Sequence, residues 1–143
     1  MVFIVQVLKD ELRHKILLEA QHLFLQRGYD RTSLQMIADK VNISKSNLYH
    51  YFKNKEELFY ELTDGAADGL KKLILRFRDK RFDLHTGQRE YQVLLTEEVI
   101  SLLLAEKYGL LLIMEQAHGT RYEDLRSSLI DMVAAKKIGR AHV

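Results

Sequence analysis

With 143 residues, 47% of them hydrophobic, no proline and seven glycines, the chain can bury a core as one domain or one small domain plus part of another, and its composition points to an all-α fold. It has no cysteine, which excludes disulfides and thiolate metal sites and fits a reducing cytoplasm. The near balance of 22 Lys+Arg against 20 Asp+Glu hides an asymmetry: residues 9–55 carry nine basic and five acidic side chains and the rest thirteen and fifteen, so a polyanion would be met by the front.

The opening "MVFIVQVL" is apolar, but it is too short to span a bilayer and lacks the basic flank and cleavage site of a secretory signal. Glu106, Lys107 and Gly109 interrupt the apolar run Val99–Met114, which reads as a buried helix pair. A cytoplasmic protein with no membrane partner is expected. The first strong helix is Lys9 to Gln26, where Leu12, Ile16, Ala20, Leu23 and Phe24 make one apolar stripe. "RGYD" ends it, with Gly28 taking the left-handed conformation that closes a helix.

Thr32 is the expected N-cap of a short second helix, with Gln35 completing a capping box and Leu34, Ile37, Ala38 and Val41 as the buried face. Asn42 enters left-handed space cheaply and turns the chain to Ser44, the cap of a third helix with Leu48 and Phe52 as its buried edge. Asn54 and Glu57 form a second capping box. A fourth helix should therefore begin at Lys55 and run to about Phe82, loosened at Gly65 and Gly69. The second half predicts helices over 86–105, 107–117 and 121–136, dense enough in apolar residues to be buried on several faces, with Gly119 between the last two.

Helix, short helix, tight turn, short helix is the order of a helix-turn-helix. Residues 44–55, "SKSNLYHYFKNK", hold Lys45, Lys53 and Lys55 and no acid. On a wheel Ser46, Asn47, Tyr49 and His50 lie away from the Leu48–Phe52 edge, and Lys45 sits in the first turn. Hydroxyls, amides and ammonium groups on an acid-free surface suit phosphate oxygens, leaving base edges to the centre of the helix. The competing reading is a solvated lysine face, with Tyr51 as a packing residue. His14 and His22 fall on the polar side of the first helix and read as surface residues. There is no Gly-rich phosphate loop, HExxH, cysteine nucleophile or supported Ser/His/Asp order, and Glu97–Glu98 reads as a solvated pair. Neither catalysis nor a metal or cofactor is implied.

The segment Ile16 to Phe59, "ILLEAQHLFLQRGYDRTSLQMIADKVNISKSNLYHYFKNKEELF", resembles the N-terminal domain of the tetracycline-repressor (TetR/AcrR) family. The ordered Gly-aromatic, Thr-Ser, Ile-Ala, Ile-Ser, Leu-Tyr, Tyr-Phe and Lys-Glu-x-Leu elements carry the resemblance. Val41-Asn42 departs from the usual Ala-Gly, and asparagine supplies the same backbone geometry. The resemblance implies a helix-turn-helix domain over 9–54 (helix-turn-helix about 33–52) and a partial helical effector domain over 55–137. Two long pairing helices of the family are missing, so the chain reads as truncated. Ile138–Val143, "IGRAHV", matches one frame of a common sequencing adapter and reads as a non-native tail.

What the resemblance implies for function is a ligand-responsive regulator, most often a repressor. It would bind a palindromic operator in double-stranded DNA as a homodimer, and a small-molecule effector would release it. Carried onto this chain, the DNA contacts would be Thr32, Ser33, Ser44, Lys45, Ser46, Asn47, Tyr49, His50 and Tyr51, with Lys55 on phosphate. Tyr91, Met114, His118 and Tyr122 are candidate pocket walls, against core packing for the first, second and last and a helix-end histidine for the third. The alternative is a helical ligand-binding or interaction module whose DNA binding has decayed.

Overall fold

The computed structural model describes residues 1–78, 89–116 and 118–141. Among these there are six helices and no strand: α1 (Val2–Arg27), α2 (Leu34–Val41), α3 (Lys45–Tyr49), α4 (Lys55–Arg78), α5 (Arg89–Gln116) and α6 (Glu123–Ala141). No described helix is long and apolar enough to cross a membrane. The chain divides into two compact units, Met1–Leu62 and Thr63–Val143. The division falls inside α4, two turns beyond the expected break before Lys55. The first turns of α4 belong to the first unit because Leu58 and Phe59 are fully buried and the Phe59 ring meets Phe24 at 6.0 Å and Tyr29 at 5.1 Å.

In the first unit α1 begins at Val2 rather than Lys9. The segment Val2–Leu8 has no 3.6-residue periodicity to announce a helix, and Val2, Phe3, Ile4, Val5, Val7 and Leu8 stay exposed. The expected stripe then takes over, with Ile16, Ala20, Leu23 and Phe24 buried. Gly28 ends the helix at φ 90°, ψ 157°, a positive-φ conformation open to glycine but not the left-handed helical one, and its N–H donates to Phe24 O at 2.9 Å. The N-cap of α2 is Ser33, not Thr32: the Ser33 hydroxyl accepts from Met36 N at 3.2 Å, and Gln35 donates to Asp39 Oδ1 instead of closing a box. Asn42 takes the left-handed conformation (φ 64°, ψ 42°), and its N–H reaches Ala38 O and Asp39 O.

At the start of α4, Glu57 N donates to Asn54 Oδ1 at 2.8 Å, while the Glu57 carboxylate accepts from Lys53 N at 2.6 Å, one residue earlier than a standard box. In the second unit Thr63, Ala66, Ala67, Leu70 and Ile74 of α4, Leu112 and Ile113 of α5, and Tyr122 and Leu125 are buried. Gly65 and Gly69 do not loosen α4. They are where α5 comes close: a Cβ on Gly65 would lie 2.5 Å from Glu106 Oε1, and one on Gly69 2.2 Å from Leu102 Cδ1. The break expected between 105 and 107 is a kink at Glu106 (φ −127°, ψ 23°) inside α5. Ile100, Leu103, Leu104, Tyr108 and Leu111 are exposed, so α5 is not buried on several faces. Gly119, at φ 74°, breaks the chain before α6, which runs on through residues 138–141.

Candidate nucleic-acid interface

The interface rests on a helix too short to hold itself. α3 has five residues, well below the length at which an isolated helix persists in water. Its frame comes from both ends and from beneath. Ser44 caps it by accepting from Asn47 N at 3.0 Å, and Leu48 and Phe52 are buried at 0% and 1% exposure. The Arg13 guanidinium of α1 lies 4.9 Å from the centroid of the Phe52 ring and pairs with Glu61.

With that edge fixed, the rest of α3 faces outward. Ser44, Lys45, Ser46, Tyr49 and His50 are exposed, and Asn47 and Tyr51 are half-buried. Lys45 Nζ lies 5.9 Å from the Tyr49 ring centroid, so ammonium and ring share one face. Ser33, exposed at the start of α2, adds another hydroxyl. Each capping serine uses an oxygen lone pair to receive the backbone N–H and keeps its own proton to donate. No acidic residue interrupts positions 40–55.

Two residues expected at this face turn inward. Thr32 is 1% exposed, and its hydroxyl donates to Gly28 O at 2.8 Å, so the side chain closes the α1–α2 turn and presents no surface to DNA. Lys55 is half-buried; its Nζ donates to Tyr29 O at 2.8 Å and sits 4.2 Å from the Tyr29 ring centroid. Burial first, then the Glu56 carboxylate, pushes the Tyr29 phenol up to about 12, so the ring under this ammonium is neutral. Sequence reasoning missed Tyr29 and Arg13; the Gly-aromatic pair at 28–29 was the available signal for the first, and nothing local marks the second.

Of the candidate effector residues, Met114, His118 and Tyr122 are described, and they do not line one cavity among the described residues. The side chain of Tyr91 lies outside the described ones. Met114 is half-buried on α5. His118 is exposed, its Nδ1 2.9 Å from Glu123 Oε1. The Gly119 N–H on Glu123 Oε2, followed by His118, holds that carboxyl below its usual range. Tyr122 is 4% exposed and hydrogen-bonds Asp64, and burial first, then Asp64, pushes its phenol up to about 12. It lines a polar cavity of about 320 Å³ with Asp64, Asp68, Lys71 and Arg121. A larger cleft of about 380 Å³ between α4 and α5, with Gly69, Leu73 and Leu102 as apolar walls and Lys72 and Arg76 beside them, is lined by none of Met114, His118 and Tyr122.

Residues 16–62 match the model of the family described as bacterial regulatory proteins, tetR family. The biofilm operon icaADBC HTH-type negative transcriptional regulator IcaR of Staphylococcus epidermidis is 33% identical over 73 residues, which are 51% of this chain and 40% of that protein. Its counterpart in Staphylococcus aureus strain Newman is 35% identical over 69 residues, 48% of this chain and 37% of that protein. The match thus spans less than half the length of either relative. The helix order, the buried Leu48–Phe52 edge and this match coincide over the same residues, and it is this N-terminal segment that is similar to the bacterial regulatory proteins of the tetR family.

Proposed function

We propose that the chain is the DNA-binding part of a transcriptional repressor that engages a palindromic operator as a dimer and is released by a small-molecule effector. The observation that carries this reading is the acid-free outer face of α3, borne on a helix whose inner edge is completely buried. Such a face can enter a major groove as a rigid surface and meets only favourable charge there. Ser46 and Tyr49 are assigned to base edges and thymine methyls. Lys45, Ser44 and Ser33 take phosphate oxygens, with Asn47, His50 and Tyr51 at the margins of the contact.

The relatives named as negative regulators support repression rather than activation. Two half-sites about one helical turn apart need two correctly spaced recognition helices, which is why a dimer is proposed. An effector within residues 63–143 releases DNA by binding more tightly to a conformation in which that spacing is wrong.

The test is titration of duplex DNA at several salt concentrations, with an operator first selected from a randomised duplex library. Log affinity should fall linearly with log salt, and Lys45→Met should reduce the slope by about 0.9 for each phosphate contact removed. Ser46→Ala and Tyr49→Ala should each cost about 1–3 kcal/mol on the selected operator and little on random duplex. A wild-type chain whose association with duplex is insensitive to salt would refute the reading in favour of a module that no longer binds DNA.

A further inference from the structure

Phe52 stands just past α3, and its N–H, donating to Leu48 O at 3.1 Å, keeps it in step with the last turn of that helix. Tyr51 N donates to the same carbonyl at 2.9 Å. The Phe52 ring is buried, yet one of the groups over it is a cation: the Arg13 guanidinium of α1, 4.9 Å from the ring centroid. That guanidinium is held in turn by the Glu61 carboxylate of α4, 48 residues away in sequence. Three elements therefore meet at one guanidinium, all within the unit Met1–Leu62. The two ends of α3 are secured by different means. The first has its own cap, Ser44 accepting from Asn47 N at 3.0 Å, whereas the last depends on side chains from two other helices.

We propose that Glu61 and Arg13 are positioning residues for DNA recognition: Glu61 holds the Arg13 guanidinium on the Phe52 ring, and the ring fixes the C-terminal end of α3. This rests on the DNA-binding reading above. As an ion pair alone the two would do little, because both side chains keep contact with water. Their effect lies in geometry. A five-residue helix cannot maintain its own direction, so its outward side chains point where its two ends are held. The carboxylate fixes the plane of the guanidinium by charge-assisted hydrogen bonding, and the guanidinium restrains the ring beneath it. The sign of the Glu61 charge makes this role separable from electrostatics. Removing an anion should by charge alone favour binding to a polyanion, whereas losing a positioning residue should weaken binding to the operator.

Two measurements on the full chain test this. In titrations of the selected operator and of random duplex, Glu61→Gln should weaken operator binding about two- to fivefold, the equivalent of one ring contact, and leave random duplex bound at least as tightly as before. Arg13→Met should lose operator affinity to a similar degree, and the double variant Arg13→Met/Glu61→Gln should lose no more than Arg13→Met alone. In amide hydrogen exchange read by NMR without DNA, the Tyr51 and Phe52 amides should exchange several-fold faster in Glu61→Gln than in wild type, while the Asn47 amide under its Ser44 cap keeps its rate. Operator binding by Glu61→Gln as tight as wild type or tighter, equal losses on operator and random duplex, or unchanged Tyr51 and Phe52 exchange would each overturn the proposal. Glu61→Gln changes an exposed carboxylate to an amide of the same shape, so its arms stand even if Arg13→Met fails to fold. A wild-type chain with no salt-dependent binding would fail the DNA-binding reading, and the positioning role with it, a result distinct from a binding wild type whose Glu61→Gln variant is unweakened.

Discussion

Gly65 and Gly69 sit one turn apart on the same helix, yet replacing each with alanine should move stability in opposite directions. In a helix interior alanine is favoured over glycine by about 0.8–1.0 kcal/mol, and both sites receive that gain. What differs is the neighbour. At Gly65 the new Cβ would stand 2.5 Å from Glu106 Oε1, 2.9 Å from Cδ and 3.2 Å from Oε2, all at the end of a long side chain. The carboxylate can swing aside, so most of the gain survives and Gly65→Ala should stabilise by about 0.5–1 kcal/mol. At Gly69 the Cβ would stand 2.2 Å from Leu102 Cδ1, with Cδ2 and Cγ at 3.2 and 3.3 Å. Every branch atom is crowded, so rotating one methyl away brings in the other. Overpacking of this kind costs about 1–3 kcal/mol, which leaves Gly69→Ala destabilised by about 1 kcal/mol. Urea unfolding with linear extrapolation measures both. Repeating Gly69→Ala in a Leu102→Ala background should restore the gain, a coupling of about 1–2 kcal/mol. If Gly69→Ala stabilises as much as Gly65→Ala, or the coupling is nil, the close approach of α4 and α5 is wrong.

Asn42→Ala should cost about 1 kcal/mol in thermal unfolding because alanine gains nothing to offset left-handed strain, whereas Asn42→Gly should be close to neutral. Ser33→Ala should cost about 1 kcal/mol as the loss of the true α2 cap, against a few tenths for Gln35→Ala; the reverse order would return the cap to a Thr32–Gln35 box. Tyr29 and Tyr122 are both pushed up to about 12, so the folded state holds protons that the unfolded chain has released. The stability they contribute is full below the ordinary tyrosine value of about 10 and is lost as pH rises through about 12. An ultraviolet tyrosinate titration should show a late phase that Tyr122→Phe diminishes; an unchanged late phase in that variant would remove Tyr122 from it.

What could be read from the sequence was what neighbours along the chain decide. Ser44, Asn42, the Leu48–Phe52 edge and the break near residue 106 all follow from spacing or from one residue's backbone preference, and each lies where expected. The α2 cap slipped by one because Thr32 and Ser33 are both good caps, and only the extended backbone of Ser33 (φ −108°, ψ 157°) selects between them. The surroundings of Lys55 and of the glycines were out of reach for a different reason. A lysine at a helix start gives no local sign that its ammonium reaches a carbonyl 26 residues away. Glycine looks like a local weakness until the helix that needs its missing side chain is seen. The surroundings of Met114, His118 and Tyr122 were the hardest to read, because a cavity is defined by chain segments that share no sequence pattern at all.

In and just after α3 the residues that hold the segment and the residues proposed to read DNA are different residues. Leu48 and Phe52 fasten the helix from below, while Lys45, Ser46, Tyr49 and His50 are exposed. Exposed substitutions away from caps and special backbone conformations typically shift stability by only about half a kcal/mol in either direction. On the proposed function, a lineage can therefore rewrite these four positions, and with them the operator, without endangering the fold that presents them. Duplicated copies could diverge to new regulons by changing one outward face, whereas a change at 48 or 52 would be removed before its effect on DNA choice could matter.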